Sequence, residues 1–494
     1  MSVSPFAPPP PDTRSRSARI GLWLGFGLAG LILLLPQAEG LSVPGQRLAA
    51  VTALMAAWWM TEAVPIAIVA LLPLVLFPIA DIAPAKLVAP QYGHDLVWLF
   101  FGGFQLAFAI ERWNLHRRIA LALVRVAGTR ADRLVLGFML ASGLLSMWLL
   151  NTSTTLMMLP VAMAVARAIE PDKPYGGPFG KALMLGLAYA ASVGGMATYL
   201  GTAPNGVFRG IGQTFGVDIA FGDWMIFAAP LSLLLIGLIW LYLTRLAFKV
   251  DRHDLPDDHP ARAALAERLG AWSPAEKRIA LIFLLAVAAW VSRRFVITAL
   301  GFEKNAITDT TVAIAVAAAL FLLPTPVSRD DRRTARLMDW QTATRTPWHI
   351  LLLFGGGFAL AKGFSETGLS AWLGGQMAVL VTGWPLPLVI LGVVLFMTFL
   401  TEVTSNTATA TVLLPVMGGL AVAMGIDPAL LLIPATLAAS CAFMLPVATP
   451  PNAIVYGSEM LSMGDMARAG LWINIGSGVV ITAWMLTWGS WTLG

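Results

Sequence analysis

Two polar runs interrupt apolar sequence in this chain, and both are built from amides and hydroxyls: Asn151-Thr-Ser-Thr-Thr155 and Thr401-Glu-Val-Thr-Ser-Asn-Thr407. Asn offers a carbonyl oxygen and an NH2 group, and Ser and Thr offer an oxygen that donates and accepts. Such runs can hold an anion or a cation with neutral groups. Two proline-containing runs extend this chemistry, Gly201-Thr-Ala-Pro-Asn-Gly206 and Ala448-Thr-Pro-Pro-Asn-Ala453. Proline lacks an N–H and disrupts helical bonding, so the helix should unwind at both places. Unwound carbonyls attract cations such as sodium, and an N–H-rich helix start attracts anions. No Lys, Arg or His lies within the four runs. An anion held there depends on dipoles, hydroxyls and co-bound cations. Bound sodium would supply the missing positive charge, which is the physical argument for cation coupling.

A single Asn-Thr pair usually bonds back to its own helix, and a single membrane proline usually marks a kink. An internal repeat argues against both readings. NTSTTLMMLPV at 151–161 answers NTATATVLLPV at 406–416, with six of eleven positions identical. The proline runs correspond in the same way, and upstream Leu99-Phe-Phe-Gly-Gly-Phe104 answers Leu353-Phe-Gly-Gly-Gly-Phe358. Three matches in the same order at similar offsets exceed what Ala/Gly-rich sequence gives by chance.

The elements that must position these runs are membrane helices. The chain is 57% hydrophobic and only 12% charged, against about 25% charged in soluble domains. The excess apolar surface must face lipid. Spans are expected near 20–36, 47–63, 64–80, 94–113, 181–209, 221–246, 275–296, 306–326, 347–364, 428–457 and 465–491. The apolar segments 131–168 and 384–424 are each about twice a span and carry the Asn-Thr run in the middle. They read as re-entrant hairpins, because a turn at membrane depth survives only beside protein or a water-filled cavity. The expected fold is therefore an all-α polytopic membrane protein of about eleven transmembrane helices plus two re-entrant hairpins, in two inverted repeats. Most of the 32 Lys and Arg fall on one side of this arrangement, including Arg14, Arg16 and Arg19, six Arg in 112–133, and those of the loop after 245. The positive-inside rule then puts the N-terminus in the cytoplasm and the C-terminus outside, in a bacterial-type inner membrane.

The expected organisation is a disordered cytoplasmic N-terminus at 1–19, a first transmembrane helix at 20–46, repeat one at 47–246, a cytoplasmic loop at 247–274 and repeat two at 275–491. Hairpins lie at 131–168 and 384–424, and broken helices at 201–206 and 448–453. The run Ile20–Leu35 reads as a span and not as a cleaved signal peptide. Each repeat has an odd number of spans, so the second copy enters with opposite polarity and the hairpin tips can meet near the midplane. A site between discontinuous helices of inverted repeats is the arrangement of secondary transporters.

The paired Ser-Asn-Thr tips and Thr-Pro-Pro-Asn breaks resemble those of the divalent anion:sodium symporter family, the dicarboxylate and citrate carriers, over residues 20–491. The second tip matches as Ser405-Asn406-Thr407 and the second break as Ala448-Thr449-Pro450-Pro451-Asn452. The resemblance implies a homodimer with a scaffold domain at its interface and an elevator motion of the transport domain. It implies that Asn151 and Thr152 hold one carboxylate of a small dianion, and that Ser405, Asn406 and Thr407 hold the other. Thr449 and Pro450 would line the site, with Thr202 as the counterpart. One sodium would bind through Ser146, Asn151 and the backbone at Gly201. A second would use Thr401, Asn406 and the backbone at Thr404 and Ala448. The first tip departs from the pattern as Leu150-Asn-Thr, without its serine, and the first break as Thr202-Ala203-Pro204. The expected activity is sodium-coupled symport of C4 dicarboxylates such as succinate, malate or fumarate. Sodium-independent exchange, or carriage of citrate, sulfate or another oxyanion, is the alternative, and an anion channel is the alternative class.

Other polar residues read differently. Lys362 is expected to snorkel, Glu402 to fasten the second hairpin, and Glu62 to be structural. Cys441 sits in an apolar run and packs. The five His show no ligand spacing, and no nucleophile–base pair stands out, so no cofactor beyond the coupling sodium ions and no enzymatic reaction is expected. Basic residues cluster between apolar stretches, which is a topology signal and not a nucleic-acid footprint. The segment AALAERL at 263–269 reads as an interfacial helix.

Overall fold

The computed structural model describes residues 16–489 and 492, except 174–175, 255, 257–258, 260–269, 300, 302, 304–305 and 327–333. The N-terminal segment through residue 15 and the expected interfacial helix at 263–269 lie outside the described residues. Within them the chain is almost wholly helical; a short antiparallel strand pair, Pro324–Pro326 with Thr334–Arg336, is the sheet that is present. The first helix starts at Arg16, inside the stretch expected to be disordered.

Among the described residues six helices are long and apolar enough to cross a membrane, and five further apolar helices are shorter. Length alone therefore undercounts the architecture, because hairpin arms and broken helices are short by construction. Local sequence explains where the helices start. Ser42 caps Val43–Thr61 by accepting from Gly45 N, and Thr308 and Ser462 form capping boxes for Asp309–Leu322 and Met463–Trp484.

The two halves share one order of elements. A helix bearing the Gly-Gly motif comes first, Asp95–Arg112 or Trp348–Thr367. A short helix follows, Leu115–Val126 or Leu369–Leu380. Next are two helices joined by a four-residue turn, Ala131–Ser146 with Asn151–Ile169 and Leu386–Thr401 with Asn406–Ala423. A broken helix comes next, Pro178–Gly195 with Ala203–Thr214 and Ala429–Ala438 with Pro450–Tyr456. A long helix closes each half, Phe221–Leu241 or Met463–Trp484. The short helices replace segments read as connections from the sequence. LHRRIALALVRV alternates charge and apolar residues at helical spacing, and its six flanking and internal Arg drew attention to topology instead.

Glycines of the repeated motif set the seams. A Cβ at Gly102 would lie 2.6 Å from the Ala313 backbone, and one at Gly356 would lie 2.9 Å from Ala70 Cα. Such approach is open only to glycine. The core is centred on Pro178–Gly195, where every residue from Phe179 to Gly195 except Lys181 is buried. Tyr189 at its middle donates its hydroxyl to Phe443 O at 2.6 Å, which joins the two broken helices.

Candidate functional site

Each polar run becomes the start of a helix. Asn151 and Asn406 open their helices behind Leu150 and Ser405, both in extended backbone. Ala203 and Pro450 open theirs behind Thr202 and Thr449. The packing is crosswise. Asn151–Ile169 packs on the first half of its own repeat's broken helix and on Pro450–Tyr456 of the other repeat. Asn406–Ala423 packs on Ala429–Ala438 and on Ala203–Thr214. Helices from both halves thereby pack on each tip helix; the starts at Asn151 and Asn406 carry first-turn N–H groups, whereas Pro450 and Pro451 have none and Asn452 N bonds Thr449. The motifs alone associate each tip with its own repeat; the exchange of half-helices is a tertiary feature.

At the first tip oxygens crowd together. The Ser146 hydroxyl donates to Asn151 Oδ1, and that oxygen lies 3.2 Å from both Gly201 O and Ala191 O. A Cβ at Gly195 would sit 2.8 Å from Asn151 Oδ1 and 3.0 Å from Gly201 O, and one at Gly201 would sit 2.5 Å from Gly195 O and 2.7 Å from Ser146 O. Carbonyls of Ser146, Gly195 and Gly201 thus share one small space with the Asn151 amide. Turned over, the amide would donate to the same oxygens. In that orientation the Asn151 amide group satisfies the oxygens of Gly201, Ala191 and Ser146, which fixes the tip against the unwound segment. The resemblance implies Ser146, Asn151 and Gly201, which the structure brings together; Gly195 and Ala191 lie against the same amide, and a backbone carbonyl leaves no residue-type signal in the sequence.

The second tip shares one feature with the first, a hydroxyl five residues before the Asn that bonds its side-chain oxygen. Thr401 donates to Asn406 Oδ1 at 2.6 Å and approaches Ala439 O at 3.2 Å. Thr401 stands where Ser146 stands in repeat one, five residues before its Asn. The Thr404 hydroxyl turns away, donating to Leu400 O at 2.8 Å and meeting the Thr409 hydroxyl, so only its backbone remains for a ligand. Ala448 lies in the unwound segment before Thr449, its N–H bonded to Leu445 O. Ser405 and Leu150 make no side-chain cap, so the Ser405 hydroxyl is not spent on its own helix, and Leu150 has none to offer. Thr449 accepts from Asn452 N at 3.2 Å and keeps its O–H to donate; Thr202 makes no cap bond. Thr152 and Thr407 follow the two Asn in the first turn of each tip helix and are part-buried, and Pro450 opens its half-helix.

The unwound segments are braced by residues the sequence did not single out. Asn205 Nδ2 donates to Met196 O at 3.0 Å and Thr198 O at 2.7 Å, and Asn452 Nδ2 donates to Ala442 O and Leu445 O, both at 3.0 Å. These are the Asn of the two Pro-Asn motifs, and they hold carbonyls at the breaks in place. The braces to the tips differ. In repeat one the Thr198 hydroxyl donates to Met147 O and accepts from Leu200 N and Gly201 N. In repeat two Glu402 accepts from Phe443 N at 2.6 Å, Met444 N at 2.9 Å, Leu445 N at 3.1 Å and Asn474 Nδ2 at 2.7 Å. Glu402 fastens the hairpin, as its place beside the tip suggests. Lys362 pairs with Glu366 at 2.8 Å at an exposed position, away from the tips.

Comparison with known proteins shows the family and the fold. The family model for the sodium:sulfate symporter transmembrane region matches residues 20–494. A protein named sodium-dependent dicarboxylate transporter from Staphylococcus saprophyticus is 42% identical over 94% of this chain and 89% of its own length. A protein of the same name from Staphylococcus aureus is 41% identical over the same shares. Among solved structures, the Alcanivorax borkumensis YdaH transporter aligns over 97% of this chain and all of its own at a TM-score of 0.60 and 14% identity. Neisseria gonorrhoeae MtrF, an antimetabolite efflux pump, aligns at 0.56, also with 14% identity; these two bear on the fold alone. The chain is an integral membrane transporter and not an enzyme, and it belongs to the divalent anion:sodium symporter family, the one described by the sodium:sulfate symporter transmembrane region.

Proposed function

We propose that this protein is a sodium-coupled symporter of small dicarboxylates, with C4 dianions such as succinate, malate and fumarate as its substrates. The observation that supports this reading is the pair of tip asparagines in runs without a basic residue, Asn151 packed beside Ser146, Gly195 and Gly201, and Asn406 bonded to Thr401. A dianion entering such a site loses hydration that neutral groups only partly replace. Helix-start N–H groups and the hydroxyls of Thr152, Ser405, Thr407, Thr202 and Thr449 orient its two carboxylates, with Pro450 lining the site. Sodium in the cradle of Ser146, Asn151 and Gly201, and in that of Thr401, Asn406, Thr404 and Ala448, brings compensating positive charge. Each Asn is shared between cation and anion, so filling one favours filling the other. That reciprocity is the physical content of coupling. Relatives named for sodium-dependent dicarboxylate transport, at 41–42% identity over 94% of the chain, support this substrate class.

The two halves act as inverted repeats, the N-terminus is cytoplasmic and the C-terminus external, and the site-bearing helices move as one body against the rest in an elevator cycle within a homodimer. The test is uptake of labelled succinate into proteoliposomes under an imposed sodium gradient, with malate, fumarate, citrate and sulfate as competitors. Gradient-dependent uptake blocked by C4 dianions supports the reading. Equal uptake in potassium that requires internal counter-anion would replace it with exchange. Competition by sulfate or citrate alone would replace the substrate, and single-channel currents would replace the class.

A further inference from the structure

The elements that carry the site are tied to one another. Trp224 Nε1 donates to Met196 O, Trp240 Nε1 to Asp132 O and Trp484 Nε1 to Phe227 O, and Lys181 pairs with Asp465 at 2.9 Å. A second group is tied likewise. Tyr92 donates to Ala70 O, Thr310 to Asp95 O and Trp113 to Leu337 O, while Arg118 pairs with Glu276 at 2.9 Å. Asp309 reaches across. It opens Asp309–Leu322, which packs most extensively on Asp95–Arg112 of the second group. One carboxylate oxygen faces Arg293 Nε at 2.9 Å, from Pro274–Ala299 of the same group. The other faces Arg209 Nη1 at 2.7 Å and accepts from Phe221 N at 3.2 Å, both in the site-bearing group. Arg209 lies on Ala203–Thr214, whose N-terminus follows Thr202, and its guanidinium sits 4.9 Å from the Tyr199 ring centroid. Asp309 is 1% exposed and Arg209 7%.

We propose that Asp309 and Arg209 form a latch: a buried ion pair that closes between the two groups of helices in one end state of the transport cycle and opens once per turnover. The asymmetry of the triad makes this workable. When the pair opens, Asp309 keeps Arg293 as its counter-ion, so no bare carboxylate is left behind, and Arg209 keeps the face of Tyr199. The surrounding seam is of stacked rings, Phe221 on Trp290 at 4.7 Å and Trp148 on Trp290 at 6.1 Å. Trp148 lies in the turn of the first tip and Trp290 on the opposite group, so the seam that the latch closes runs up to the site.

This inference rests on the elevator reading of the cycle, and its test separates the two. In an Arg209→Cys/Asp309→Cys variant, which starts from the lowered uptake of a chain without the latch, a short bifunctional thiol reagent should join the two groups; native Cys441 is fully buried and does not compete. The sodium-gradient-driven succinate uptake that remains should fall at least a further tenfold on cross-linking and return to its starting level on reduction, while sodium-dependent succinate binding to the cross-linked protein persists. Undiminished uptake after complete cross-linking would overturn the latch. Arg209→Gln decides the matter independently, because Asp309 retains Arg293 and the variant should assemble. Its succinate affinity should stay within about threefold of the parent while its maximal uptake rate falls about tenfold, and Arg209→Lys should recover most of that rate. Parental uptake rates in Arg209→Gln would also overturn it. Failure of the unmodified protein to show gradient-driven uptake would count against the transport reading, and is seen before any variant is made.

Discussion

Gly201→Ala puts one methyl group into the first cation cradle. The new Cβ would stand 2.5 Å from Gly195 O, 2.7 Å from Ser146 O and 2.8 Å from Gly195 Cα, inside the 3.0 Å that real Cβ atoms essentially never breach. All three neighbours are backbone, so no rotamer change relieves the clash. The unwound segment is pinned by Asn205 and Thr198, so the strain falls on the carbonyls that face Asn151. Overpacking of this kind costs about 1–3 kcal/mol. At 1.4 kcal/mol per factor of ten, the sodium concentration for half-maximal succinate uptake should rise roughly five- to hundred-fold. The assay is the sodium dependence of uptake into proteoliposomes, with Gly237→Ala as control, since a Cβ at Gly237 meets nothing within 4 Å. An unchanged half-saturating sodium concentration in well-assembled Gly201→Ala protein would refute the assignment of Ser146, Gly195 and Gly201 carbonyls to a cation.

Three further outcomes follow from the site. Asn406→Ala should abolish uptake while leaving expression and assembly intact, because it removes an anion contact and the Thr401-linked oxygen together; near-normal uptake would remove Asn406 from the site. Leu150→Ser restores the hydroxyl that Ser405 supplies at the other tip, and should tighten sodium binding as read by the sodium dependence of uptake; an unchanged value would make the missing hydroxyl immaterial. Glu402→Gln puts an NH2 group among four N–H donors, and should cost roughly 2–4 kcal/mol of stability from lost charge-assisted bonds, seen as a lower melting temperature in detergent. An unchanged melting temperature would mean the carboxylate is not the clamp.

Much of the site was legible because it is written in residue types. Asn151, Asn406 and Thr401 announce themselves as polar side chains in apolar sequence, Ser146 followed from the resemblance alone, and Pro204, Pro450 and Pro451 mark where helices must break. The tip-to-Gly pairing of Asn151 with Gly201 followed from resemblance and is matched by the geometry. What stayed hidden is what side-chain identity does not encode. Gly195, Ala191 and Ala439 contribute carbonyls, and Asn205 and Asn452 look like helix-start residues until their amides are seen gripping the unwound segment. The short helices Leu115–Val126 and Leu369–Leu380 are too short to read as spans. The crossing of Pro450–Tyr456 onto the first tip helix is a tertiary choice.

The central claim is that sodium supplies the positive charge that this site lacks. Calorimetric titration of the purified protein with succinate, in sodium and then in potassium at equal ionic strength, tests it most directly. The account predicts saturable succinate binding in sodium, little or none in potassium, and sodium affinity that tightens by the same factor when succinate is present. Equal succinate affinity in the two salts would contradict it.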